Sequence, residues 1–88
     1  MRIMCAAIRA KVDGVKFAEI QAERHADCYE ILNREHPDYD RDSVKEGFLT
    51  DTYRFVDRYK AKEIAVAAHQ LIVPIEETCA ELYSEDVW

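Results

Sequence analysis

One change of period constrains this chain more than any other feature. It falls inside Gly47–Gln70 (GFLTDTYRFVDRYKAKEIAVAAHQ). Gly47-Phe48-Leu49-Thr50 and Tyr53-Arg54-Phe55-Val56 are rich in aromatic and β-branched residues and read as two short strands around the polar pair Asp51-Thr52. From Asp57 onward the apolar residues Ala61, Ile64, Ala65, Ala68, Leu71 and Ile72 recur at i, i+3, i+4, i+7, the period of a helix with one buried stripe. Asp57 stands at the switch, where a carboxylate caps the first free N–H groups of a helix and opposes its positive end. The segment is therefore hairpin, cap, helix, with Arg54 and Arg58 flanking the cap.

The rest of the chain must be compatible with that unit. Ile3–Val12 alternates loosely without helix breakers and reads as a strand covered on both faces. Asp13-Gly14 is a turn signal leading to a second strand near 15–20. Arg24–Arg34 carries Cys28, Ile31 and Leu32 as the apolar stripe of a first helix, stopped at Glu35-His36 by Pro37. Residues 37–46 are polar and read as a surface loop, and Ser84 is a candidate N-cap for a last turn. The expected fold class is α+β: a single domain over 1–88, with strands near 2–12, 15–20, 47–51 and 53–56 forming a small antiparallel sheet. Two helices are expected near 25–35 and 58–70, followed by an acidic C-terminal tail over 74–88.

Charge and cysteine usage narrow the function. Of a net charge of −6, nearly all lies beyond residue 63, where Glu76, Glu77, Glu81, Glu85 and Asp86 stand without any Lys or Arg. That disfavours a duplex-binding role, which needs an array of phosphate-facing cations. It leaves open a local guanidinium pocket for a small anion. No apolar run reaches the ~20 residues of a membrane span, and the N-terminus lacks the pattern of a signal peptide. A cytoplasmic, membrane-free protein is expected. Cys5, Cys28 and Cys79 are widely spaced and read as free thiols; a zinc site would need His25 and Cys28 to recruit distant ligands in no familiar framework. No cofactor, metal or catalytic constellation is expected.

Several blocks together carry a resemblance: Ala6-Ala7-Ile8, Arg24-His25, Gly47-Phe48-Leu49-Thr50, Arg54-Phe55-Val56-Asp57-Arg58, Glu63-Ile64-Ala65, Ala68-His69-Gln70 and the terminal Leu82-Tyr83-Ser84-Glu85-Asp86-Val87-Trp88. The chain resembles small phage proteins related to the first-described Thoeris anti-defence family, non-catalytic sponges that sequester cyclic ADP-ribose signals and, in some members, cyclic di- or trinucleotides. Here Asp51-Thr52 replaces a turn that carries glycine in the relatives, and His69 stands where they have Gly before Gln. The resemblance implies an oligomeric antiparallel-sheet protein, a homodimer or larger, acting in the cytoplasm of an infected bacterial host. It implies a cyclic nucleotide as the partner, held by Arg24, His25, Phe48, Thr50, Arg54, Asp57 and Arg58. In that reading Phe48 stacks on a base, Arg24 and Arg58 grip phosphates, and Asp57 bonds ribose or an exocyclic amine. The competing expectations are an acidic inhibitor that covers a host protein and, further behind, a nucleotide-processing enzyme.

Overall fold

A computed structural model describes residues 1–88. Its sheet has four antiparallel strands, β1 (Ile3–Lys11), β2 (Phe17–Ala22), β3 (Lys45–Thr50) and β4 (Phe55–Asp57), in the order β2-β1-β3-β4. Two helices, α1 (His25–Glu35) and α2 (Arg58–Ala67), complete the α+β architecture expected from the sequence. The α1 connection carries the chain over β1, so that β3 pairs with the edge of β1 left free by the β1–β2 hairpin.

Strand alternation sorts the sheet into two unlike faces. Ala6 pairs with Ala22 and Phe48, and Ile8 with Ile20 and Glu46. Paired residues share a face, so these form one surface, and it packs with Cys28 and Leu32 of α1 and Ala61, Ile64 and Ala65 of α2 in a single core that also takes in Leu82 and Val87. The alanines at 6 and 10 let the helices approach closely, and Phe48, with no exposed surface, fills the centre. The other face carries Cys5, Ala7 and Arg9, opposite Leu49, Gly47 and Lys45. No helix covers it. β1 is thus covered by helices on one face only, and Arg9 is exposed rather than enclosed as the both-faces reading requires. Ala7 is nevertheless buried because Phe55 folds back over this face: a Cβ on Gly47 would lie 2.7 Å from the Phe55 ring and 2.1 Å from the Val56 carbonyl oxygen.

The boundaries shift for local reasons. The β3–β4 connection occupies 51–54, not the pair 51–52, and Tyr53 takes the left-handed conformation (φ 62°) that glycine adopts more readily. Asp57 caps α2 as expected, its carboxylate accepting the Lys60 N–H at 2.7 Å. α2 stops at Ala67, three residues before the expected end. His69 adopts φ 56°, Gln70 N–H donates to the Ala65 carbonyl and His69 N–H to that of Val66, the bonding of a left-handed helix terminus. Residues 37–46 are not free loop throughout: Tyr39 is buried, and the turn at Arg41–Ser43 is tied to β1 through Ser43 Oγ, which accepts the Lys11 N–H.

Candidate functional site

Of the blocks singled out in the sequence, Arg24-His25 and Arg58 converge in space on the C-terminal segment, and Gly47 joins them through His25. Arg24 Nη2 donates to the Trp88 carbonyl at 2.6 Å, and the Trp88 indole N–H donates to the Glu23 carbonyl. His25 opens α1, turned inward. Its Nε2–H donates to the Gly47 carbonyl at 2.7 Å, which leaves Nδ1 to accept from Ser84 Oγ at 2.8 Å; Ser84 Oγ in turn accepts the His25 backbone N–H. Burial, reinforced by the nearby Arg58 charge, lowers the His25 pKa below its ordinary value despite the Gly47 bond, and holds the ring neutral. Both ring nitrogens are consumed, so His25 is not free to ligate zinc with Cys28. Burial pushes the Cys28 thiol up to about 11, away from the thiolate a metal requires. Ser84, expected to cap the last turn, spends its hydroxyl on His25; the Asp86 carboxylate accepts the Tyr83 N–H there instead. The Ser84–His25 pair has the spacing of a nucleophile and its base, but both side chains are buried and Ser84 is 2% exposed.

Arg58 is the centre of a second, connected network. Glu46 lies on the helix-covered face of the sheet, where an unpaired carboxylate would be costly. Arg58 supplies two bonds to its Oε1, from Nε at 3.2 Å and Nη2 at 2.5 Å, and Tyr29 donates its hydroxyl to Oε2 at 2.5 Å. Burial alone would raise the Glu46 pKa; the Tyr29 and Arg58 hydrogen bonds outweigh it and hold the carboxyl below its usual range. Tyr29 is correspondingly raised, first by burial and then by its bond to Glu46. The remaining Arg58 donor, Nη1, reaches the Leu82 carbonyl at 2.6 Å, and the guanidinium lies 4.7 Å from the Tyr83 ring centroid.

These placements divide the expected ligand residues. Phe48 meets the His25 ring edge-on, 4.9 Å between centroids, and has no exposed surface. The stacking role expected of it is replaced by core packing, because its position in β3 points to the helices. Thr50 is also fully buried, its hydroxyl within the hairpin turn near Thr52. Arg54 is exposed in the 51–54 loop and does not line the cleft at Asp57 and Arg58. Asp57 and Arg58 do border a cleft, of about 480 Å³, where α1, α2 and β3 diverge. Its other walls are Tyr29, Arg41, Val44, Glu46, Tyr59 and Glu81, which the sequence argument did not select. Only the i, i+4 spacing of His25 and Tyr29 on one helix face hinted at this. Arg41 makes no ion pair and lies over the Tyr39 ring, and Tyr59 is exposed and donates its hydroxyl to Glu81 at 3.1 Å. The cleft therefore offers aromatic surface, one uncommitted guanidinium and two carboxylates, Asp57 and Glu81, each with an oxygen left to accept from hydroxyl or amino groups.

No helix is long and apolar enough to cross a membrane. No curated protein and no solved structure matches the chain. The family model described as Phage T4 y16D protein matches residues 2–88, and with almost the whole length covered, the chain belongs to that phage protein family.

Proposed function

We propose that this phage protein is a non-catalytic sponge that binds and sequesters a cyclic nucleotide immune signal, a cyclic ADP-ribose isomer or a cyclic di- or trinucleotide, in the cytoplasm of the infected cell. The observation that carries the reading is the cleft at the strand-to-helix junction: its 480 Å³ is in the range of small-molecule sites, and it joins Tyr29 and Tyr59 to Arg41 and Arg58. In this reading Arg41 meets a phosphate, Tyr59 lies against a base, and Asp57 and Glu81 accept ribose or amino hydrogens. Arg58, already bound to Glu46 and Leu82, shapes the wall more than it supplies free charge. The protein works as a homodimer or larger assembly, supported by the exposed apolar side chains of Val66, Ile72 and Ile75, the latter two 63% and 56% exposed.

Incubation with a panel of cyclic nucleotides, followed by heating to release what is held, tests this. A sponge returns its ligand intact; release of a cleaved product or of nothing sinks the reading. Arg41→Ala and Tyr59→Ala, both at exposed positions, are expected to weaken retention about tenfold each, the loss of one charge-assisted bond or one stacked base.

A further inference from the structure

The helix-free face of the sheet carries a feature that the cleft does not explain. Arg9 on β1 and Lys45 on β3 are directly opposed in register, and Lys11 stands two residues along the same face. Like charges directly opposite on neighbouring strands repel, and the only carboxylate in this row, Glu19 on β2, is bonded to Arg9 at 2.9 Å. Lys45 and Lys11 have no ion-pair partner. In a chain of net charge −6 these three cations are gathered on one surface. They are interleaved with aromatic rings: Lys11 Nζ lies 5.8 Å from the Phe17 centroid, and the Arg9 guanidinium lies 4.4 Å from that of Phe55. Phe17 sits on the edge strand and is 54% exposed.

We infer that this face binds single-stranded nucleic acid. Each element has a matching part: phosphates for the unpaired Lys45 and Lys11, and an unstacked base for the free face of Phe17. The recess of about 430 Å³ beside Arg9, Phe17, Glu19 and Lys45 lies open along this helix-free face, so that a strand can run across it. A duplex does not fit. Its bases are stacked away from Phe17, and its long phosphate array meets a protein of net charge −6. The site lies on the face opposite the helices and is independent of the cyclic nucleotide reading.

Fluorescence anisotropy at low salt with a short labelled oligouridylate, the matching oligothymidylate and a duplex of the same length tests the inference. Single strands are expected to bind and the duplex not, with a salt slope of about −1.4 for two phosphate contacts at ~0.7 each; the two single strands decide between RNA and DNA. Phe17→Ala and Lys45→Glu, both exposed, are expected to weaken binding tenfold or more while circular dichroism stays unchanged, and Lys45→Met gives the charge loss without reversal. Tyr59→Ala, in the cleft, leaves oligonucleotide binding intact. No binding of either single strand, equal binding of the duplex, or wild-type affinity in both the Phe17 and Lys45 variants overturns the inference. Retention of a cyclic nucleotide by a protein that ignores oligonucleotides overturns this inference alone; oligonucleotide binding without such retention overturns only the sponge.

Discussion

His69 shows how a single residue can be held in an unfavourable conformation by its neighbours. At φ 56° it closes α2 in the left-handed region, which costs a residue with a Cβ about 1–2 kcal/mol relative to glycine. The closure is maintained because the next residue is needed where it is: the Gln70 side chain accepts the Ile3 N–H at 2.7 Å and donates to the Ile3 carbonyl at 2.9 Å, supplying the bonds that a strand partner would make at the irregular start of β1. His69→Gly is accordingly expected to raise stability by about 1 kcal/mol, seen as a higher denaturation midpoint in urea with an unchanged slope. A lower midpoint would mean that the His69 side chain contributes more than its backbone conformation costs. Gly47 is the opposite case, a glycine kept for space because Phe55 and the Val56 carbonyl occupy the volume of any Cβ.

Among the elements, the C-terminal segment depends most on others. Its last turn, Ser84–Asp86, has three residues and no helix length of its own. It is held by Leu82 and Val87 in the core and by Arg24, His25 and Arg58, one bond each from side chains of distant elements. Removing Arg58 leaves Glu46 charged and half-buried and frees the Leu82 carbonyl. Because Glu46 is partly exposed the loss is less than for a fully buried pair, about 2–3 kcal/mol for Arg58→Ala. Hydrogen exchange at the Leu82 amide, bonded to the Arg58 carbonyl, is expected to rise more than exchange within β1. The same network sets the acid response. The folded state lowers the pKa of His25 from 6.5, so the unfolded chain binds the proton first; this stabilisation is full above pH 6.5 and is lost as pH falls below it. Glu46, lowered from 4.5, adds a second loss below pH 4.5. Melting temperature against pH should fall in those two stages, and His25→Gln should abolish the first; a curve flat from pH 7 to 5 in the wild type would contradict the buried neutral imidazole.

For the molecule as a whole, the accessible surface of 5500 Å² is close to the value of about 5,400 Å² that the size law gives for a monomer of 10.3 kDa, so the single chain is already compactly folded. What is unusual is where the apolar surface lies. Residues 64–75 contain no Asp, Glu, Lys or Arg, and Val66, Leu71, Val73 and Ile75 line a hollow of about 250 Å³ next to the exposed Ile72. If assembly uses this patch, Ile72→Asp places a charge in it without touching the core. The wild-type protein is then expected to sediment as a dimer or larger at tens of micromolar and the variant as a monomer of unchanged fold. A wild type that is monomeric with and without cyclic nucleotides would remove the oligomer from the proposal.

The local grammar of this protein was legible in its sequence. Apolar period, the Asp57 cap, the Asp13-Gly14 turn and the Pro37 stop depend on neighbours within a few residues, and they placed all four strands and both helices. Arg24, His25, Arg58 and the terminal block also stand out in the sequence, as parts of three separate blocks, although their clustering does not. Tertiary structure alone decided what those residues do. Phe48 and Thr50 were buried by the choice of which face of β3 meets the helices, and a two-residue strand period offers both faces equally until the helices dock. Glu46 required an arginine and a tyrosine from two helices only because the same docking removed it from water. The cleft and the basic face, finally, were assembled from β1, β2, β3, α1, α2 and the turns between them; strand order β2-β1-β3-β4 brings Arg9 opposite Lys45, 36 positions apart in the chain, and no local rule records that pairing.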